Sequence, residues 1–416
     1  MRRDVVASYR FGRMLGSLVL LSAVVAAGVG LTYWLPVRLR WEERVAAGAV
    51  VGIVSFCAVA FAMFELAGMG WATVLVGAGA PAGGGAWGWW RRRGDCRAER
   101  ASAMARLRLP MRAAASLRPF AVFTVAAGAV ATRTLSLAYQ ATAQGVAVGN
   151  LAVYGDWSAH LAYAGSFAYG DNRGLGSPLA AGTPLRYHFL CDFFAAPFTV
   201  TGATLQQSLT LTAWALAVVF TPLLLLAVQR LTGSRLTSIL AVLLFTLSGG
   251  AGVWYFLVDV QHQGWGILTE LPRTYARIPE QHIFVDNTIS MSLYAQRSTQ
   301  MGLCIGLAAL VLLLAGRVTW RRPVFVVAGV LVAVTGITYV HLLLTALALG
   351  TLAAWAERRS GRWREWLWFL APAAVVGLPL VAAIQPPSSA LRWLVGWMAV
   401  DAHQSWPWFW LRNAGL

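Results

Sequence analysis

The chain predicts an all-α, polytopic membrane protein of about ten transmembrane helices, with short interfacial helices in a large first outward loop. Three observations lead there. Hydrophobic residues make up 58% of the 416 positions and charged residues only 12%, a balance foreign to soluble domains of this size. Apolar runs close to the length of a bilayer crossing recur along the sequence. The net charge of +17 comes from arginine alone, since the chain has no lysine, and these arginines fall in short clusters between the apolar runs.

The runs lie at 14–35, 45–68, 71–90, 119–139, 207–229, 236–257, 301–316, 323–340, 342–356 and 366–384. The first follows an arginine-bearing start and has no small-residue cleavage site, so it reads as a retained helix. The arginines from Arg91 to Arg118 mark one loop as cytoplasmic. Arg230 with Arg235, Arg317 with Arg321 and Arg322, and Arg358 with Arg359, Arg362 and Arg364 mark three more. This divides the chain into N-terminal membrane helices with a basic cytoplasmic loop (1–118) and a second region (119–416). The second region has outward loops at 140–206 and 258–300. Three spans before residue 91 would put the N-terminus outside, unless one Gly-rich segment near 71–90 falls short of a full crossing. The final Trp-Pro-Trp-Phe-Trp reads as the approach to a further helix, as in a truncated form.

On this topology all six histidines, His160, His188, His262, His282, His341 and His403, lie on or near the outward side. Asp156, Asp171, Asp192, Asp259, Glu270, Glu280, Asp286 and Asp401 join them. Clustered basic residues point here to topology and membrane lipid rather than nucleic acid. The absence of lysine excludes a Schiff base or a phosphate-loop lysine. Cys57, Cys96, Cys191 and Cys304 form no metal or disulfide pattern, and no His begins the Glu-x-x-His continuation of a metalloprotease.

Within the first outward loop, Asp156 and His160 stand four residues apart, and His188 and Asp192 repeat the spacing in reverse. On a helix each pair shares a face. Asp156 is placed to cap a short interfacial helix running to Gly170, with Trp157, Tyr163, Phe167 and Tyr169 as aromatic anchors. Capping and catalysis are compatible roles for it. Residues 172–184, rich in Gly and Pro, read as a loop. Two His and two Asp form a donor set for a divalent metal, imidazole favouring zinc or manganese and carboxylate favouring Mg or Mn; nothing in the sequence brings the two pairs together. Arg297 enters a span and needs an anion or a water path, or else snorkels to head groups. Arg133 raises the same question. His341 sits alone between two apolar segments, where a bond between helices is the plainest role.

Gly-Asp-Trp-x-x-His-Leu at 155–161, Gly-x-Pro-Leu-Arg-Tyr-His-Phe-Leu at 182–190, Gln296-Arg297 before a span, and His341 after Thr-Gly-Ile-Thr-Tyr-Val resemble the GT-C superfamily of polyprenyl-phosphate-sugar-dependent membrane glycosyltransferases. The likeness covers roughly residues 119–416. It implies an outward-facing catalytic carboxylate, for which Asp156 is the matching position, and a bacterial inner-membrane enzyme acting on a polyprenyl-phosphate-linked sugar and a glycan, lipid or protein acceptor. The chain departs from the paired acids often found in such enzymes, since Trp157 follows Asp156, so the need for a metal (Mg or Mn) stays open. His160 would steady Asp156, while Arg186, Tyr187, His188, Asp192, Arg297 and His341 would bind substrate. The competing expectations are a transporter or flippase for an anionic lipid or solute, and an inactive relative.

Overall fold

A computed structural model describes residues 2–113, 115–148, 154–248, 250–268, 272–273, 275, 278–283, 289–385 and 396–414. It is almost wholly helical. In chain order the helices are α1 (Arg2–Leu31), α2 (Trp41–Ala67), α3 (Trp71–Arg91), α4 (Arg93–Arg108), α5 (Arg118–Leu135), α6 (Tyr154–Tyr169), α7 (Leu190–Ala195), α8 (Pro197–Val200) and α9 (Leu205–Thr232). There follow α10 (Arg235–Leu247), α11 (Gly252–Gln263), α12 (Arg297–Arg317), α13 (Arg322–Val334), α14 (Val340–Ala356), α15 (Trp363–Ile384), α16 (Trp397–Asp401) and α17 (Trp406–Ala414). The one sheet among the described residues is a small antiparallel hairpin, β1 (Gln140–Thr142) with β2 (Gly145–Ala147).

Every apolar run of the sequence is helical, but the expected ten crossings are not all of spanning length. Among the described residues, five helices are long and apolar enough to cross a membrane: Met14–Trp34, Trp41–Ala67, Leu205–Thr232, Arg297–Arg317 and Trp363–Ile384. This composition fits a multi-pass membrane protein. The run at 236–257 is two helices, α10 and α11, bent by 69°. Its sequence Ser-Gly-Gly-Ala-Gly at 248–252 has poor helix propensity, which accounts for a break there.

The helices meet at small residues, as expected where lipid offers no hydrophobic contrast to helix contact. A Cβ on Gly28 of α1 would lie 2.0 Å from the Gly48 carbonyl oxygen of α2, and one on Gly30 would lie 2.3 Å from that of Gly85 in α3. These glycines let three backbones touch. Helices α9 and α12 pack against α2 and share one continuous hydrophobic core with it, so the two regions expected from the sequence meet in a common interior.

The bundle has two distinct ends. The turns at 32–40, 92–93 and 317–321, with Arg230 at the close of α9, gather at an arginine-rich end. Helices α6, α7 and α8, the start of α12 and the close of α2 gather at the other, where Phe64 of α2 packs edge-on against Phe167 of α6 and near Phe193 of α7. The middle of α1 reaches this second end, since Ser17 Oγ donates to Phe198 O. From Ser17 onward the N-terminal helix therefore runs from the histidine-bearing end to the arginine-rich end.

Candidate functional site

Helix α6 was expected to lie at an interface with its aromatic residues as anchors; instead it turns that face into the protein. Trp157, His160, Tyr163, Ala164 and Phe167 are buried while Tyr169 is exposed. Their spacing at i, i+3 and i+7 makes a single stripe, and the stripe meets phenylalanines of α2 and α7 rather than lipid. The helix also begins at Tyr154, so Asp156 sits within the first turn and does not cap it. Its carboxylate is exposed, at the positive end of the helix dipole.

The two pairs suggested by i, i+4 spacing exchange partners. His160 Nδ1 lies 2.9 Å from both carboxylate oxygens of Asp192, and both residues are buried. An ionised carboxylate offers only acceptors, so Nδ1 is the donor in this pair. The Nε2 of His160 is buried and has no hydrogen-bond partner. Arg297, at the start of α12 and only 1% exposed, brings Nε to 3.4 Å from Asp192 Oδ1. Its Nη atoms donate to Leu209 O, to Cys191 O at 2.9 Å and to Thr212 Oγ1 at 3.0 Å. The guanidinium lies 5.6 Å from the centroid of the Trp157 ring, and Trp157 Nε1 donates to Tyr294 O at 2.8 Å.

The anion that Arg297 requires is thus Asp192, within the protein. A charge buried this deeply is tolerated only when paired and hydrogen-bonded, and Asp192 meets both conditions through Arg297 and His160. The three residues tie α6, α7 and α12 together.

Above this lock sit the other residues singled out in the sequence. The Tyr187 ring stacks on Tyr163 at 4.7 Å and stands 6.0 Å from His160. Burial pushes its phenol above the usual range, and the neighbouring negative charges, Asp192 and Asp156 among them, add to this. His188 adjoins Tyr187, and its imidazole is held below the usual histidine range by burial and by the nearby His341. His341 is exposed at the start of α14, its ring 5.3 Å from that of Tyr339. Arg186 is exposed and donates to Gln385 O at 2.7 Å, tying the loop to the end of α15.

His160 and His188 therefore flank Tyr187, with His341 near His188. Elsewhere, His262 and His403 are exposed, Asp171 pairs with Arg173, Asp259 pairs with Arg273, and Arg133 is exposed near the close of α5. Glu270, Arg277 and Asp286 lie outside the described residues.

Several contributors escaped sequence reasoning. Cys191 places its Sγ with His160 and Asp192 so that one ligand atom from each lies within 4.8 Å of the others. This thiol, imidazole and carboxylate set suits zinc better than magnesium, yet the Arg297 guanidinium already stands beside the same carboxylate and would repel a cation. Thr212 and Gln300, also buried, hold the start of α12 against α9. The polar run Gln-Arg-Ser-Thr-Gln at 296–300, opening an apolar helix, was the available signal. The same holds for Glu42-Glu43-Arg44 at the start of α2, all buried. No family model, curated protein or solved structure matches the chain.

Proposed function

We propose that the chain is an integral-membrane glycosyltransferase of the inner membrane, moving a sugar from a polyprenyl phosphate to a glycan, lipid or protein acceptor of the cell envelope on the outward face. The observation that carries this reading is an exposed carboxylate, Asp156, one helical turn from a buried His160–Asp192–Arg297 lock at one end of an apolar bundle. A rigid carboxylate at a bundle end is what a lipid-borne donor and a water-borne acceptor would both reach.

In the proposed reaction Asp156 takes the proton from an acceptor hydroxyl. The acceptor oxygen then bonds to the anomeric carbon as the bond from that carbon to the phosphate oxygen breaks, and the polyprenyl phosphate leaves with the electron pair. Attack opposite the leaving group inverts the anomeric centre, by the geometry that governs inverting glycosidases. Arg186 and His341, both exposed, with the half-buried His188 beside them, are the groups for steadying the departing phosphate. Arg297, its Nη atoms held inside the protein, acts as a positioning residue through Asp192, and His160 does the same for the turn bearing Asp156.

The test supplies membranes containing the protein with a panel of radiolabelled polyprenyl-phosphate sugars, with and without a chelator. Asp156→Asn is expected to lower transfer by about 100-fold or more, the usual scale for a general base, without changing the thermal stability. Full transfer by that variant would remove Asp156 from the mechanism. A transporter or flippase is the second reading, favoured by the bent pair α10 and α11, since broken helices often frame transport sites. Release of labelled lipid across the bilayer without sugar transfer would select it.

A further inference from the structure

The arginine-rich end contains a cavity of about 1080 Å³ that the proposed transfer reaction does not use. Arg38, Arg44, Arg92, Arg230 and Arg321 line it, against only Asp95 and Glu99 among the acids. These arginines differ in how far they are neutralised. Arg44 is held by Glu99 at 2.7 and 3.0 Å and lies 4.1 Å from the Tyr33 ring centroid, and Arg230 is held by the buried Glu43 at 2.6 and 2.7 Å. They form a compensated floor. Arg92 reaches Asp95 only at 3.5 Å, and the guanidinium groups of Arg38 and Arg321 make no hydrogen bond or ion pair among the described residues. The rim is therefore cationic, with Arg92 weakly paired and Arg38 and Arg321 without a partner among the described residues.

The remaining lining, including Val37, Leu39 and Val318, is apolar. A second cavity of about 390 Å³ adjoins at Arg230 and Val318 and adds Arg362 together with Arg317, the latter paired with Glu357. Guanidinium groups present forked donors that match phosphate oxygens, and a volume at the upper end of small-ligand sites accommodates more than a bare ion. Basic pockets at helix ends near a membrane surface commonly receive anionic head groups.

We propose that this cavity binds a phosphate-bearing anion, with Arg38 and Arg321 as its principal contacts and Arg92 completing the rim. The ligand is either a phospholipid head group whose chains follow the apolar lining or a soluble phosphate ester. The site is independent of sugar transfer, and its test needs no donor or acceptor.

The full chain, purified in detergent, is examined by native mass spectrometry with equal phosphatidylglycerol and phosphatidylcholine, and separately with inorganic pyrophosphate. Three proteins are compared: wild type, the double variant R38Q/R321Q, and the control R97Q/R100Q, which removes two exposed arginines of α4 outside the cavity. Wild type and control are expected to retain the anionic ligand, and R38Q/R321Q to lose at least about tenfold in affinity, as removal of charge-assisted contacts to phosphate would require. Phosphatidylglycerol that pyrophosphate fails to displace identifies a lipid site, and pyrophosphate binding with displacement identifies a soluble phosphate ester. Equal loss in the control variant, or retention of neither probe by the wild type, overturns the proposal. Because all four arginines are exposed, matching melting curves are expected and would separate lost binding from lost folding.

Discussion

The two ends of the bundle solve the same electrostatic problem in opposite ways. At the histidine-bearing end, Arg297 and Asp192 are sealed from solvent, and both Nη atoms of the arginine donate to groups within the protein. At the arginine-rich end, buried acids meet arginines that remain partly wet: Glu43 is fully buried but its partner Arg230 keeps 18% of its side-chain surface exposed. The first arrangement is a lock that holds three elements in register. The second leaves cations facing a cavity, where a ligand can find them. Depth of burial, rather than the number of charges, separates a structural ion pair from a binding surface.

This contrast is broken most severely by removing one half of the deep pair. Arg297→Leu leaves Asp192 buried without its cation and is expected to cost about 3–5 kcal/mol. The double variant R297L/D192L should recover most of that loss, because two apolar groups replace two charges together. Melting of detergent-solubilised protein followed by gel filtration measures both, and a double variant no more stable than the single one would mean that the pair is not the source of the effect.

At the other end Glu43→Gln should cost less, about 1–3 kcal/mol. Arg230 and Arg40 lose a shared acceptor there but can turn toward water. The same melting experiment orders the two ends, and a larger loss for Glu43→Gln than for Arg297→Leu would reverse the comparison.

The smallest effect is a pH dependence at His188. Its folded-state pKa is held below the unfolded value by burial and by His341, so between the two values the unfolded chain binds more protons. Stability is then fully present above about 6.5, the ordinary histidine value, and declines as the pH falls from there through the folded pKa. Melting temperatures between pH 7.5 and 5.5 should show this slope, and His188→Gln should flatten it. An unchanged slope in that variant would assign the pH dependence to other groups.

Each apolar run read from hydropathy falls on helix, because helix formation and apolar composition are local properties, but the short apolar stretch Leu190–Val200 lies outside those runs. The differences are local as well: the single run at 236–257 is split into α10 and α11 at Ser-Gly-Gly-Ala-Gly, and Asp156, a capping residue by sequence pattern, stands two residues inside α6. The candidate site was half legible. His160, Asp192 and Arg297 all stand out in the sequence, but i, i+4 spacing pairs His160 with Asp156, and the anion, water path or head group that Arg297 needs stays open there.

Sequence by itself determined the helices, the segregation of arginine from histidine, and the residues rich enough in chemistry to form a site. Only the tertiary structure decided which of them met. Periodicity states which side chains share a face of α6 but not whether that face turns to lipid, water or protein. Nor does it select a partner for a buried charge, since Coulomb attraction in a poorly screened interior depends on separation in space. His160 and Asp192, 32 residues apart in the chain, are neighbours because α6 and α7 fold onto α12.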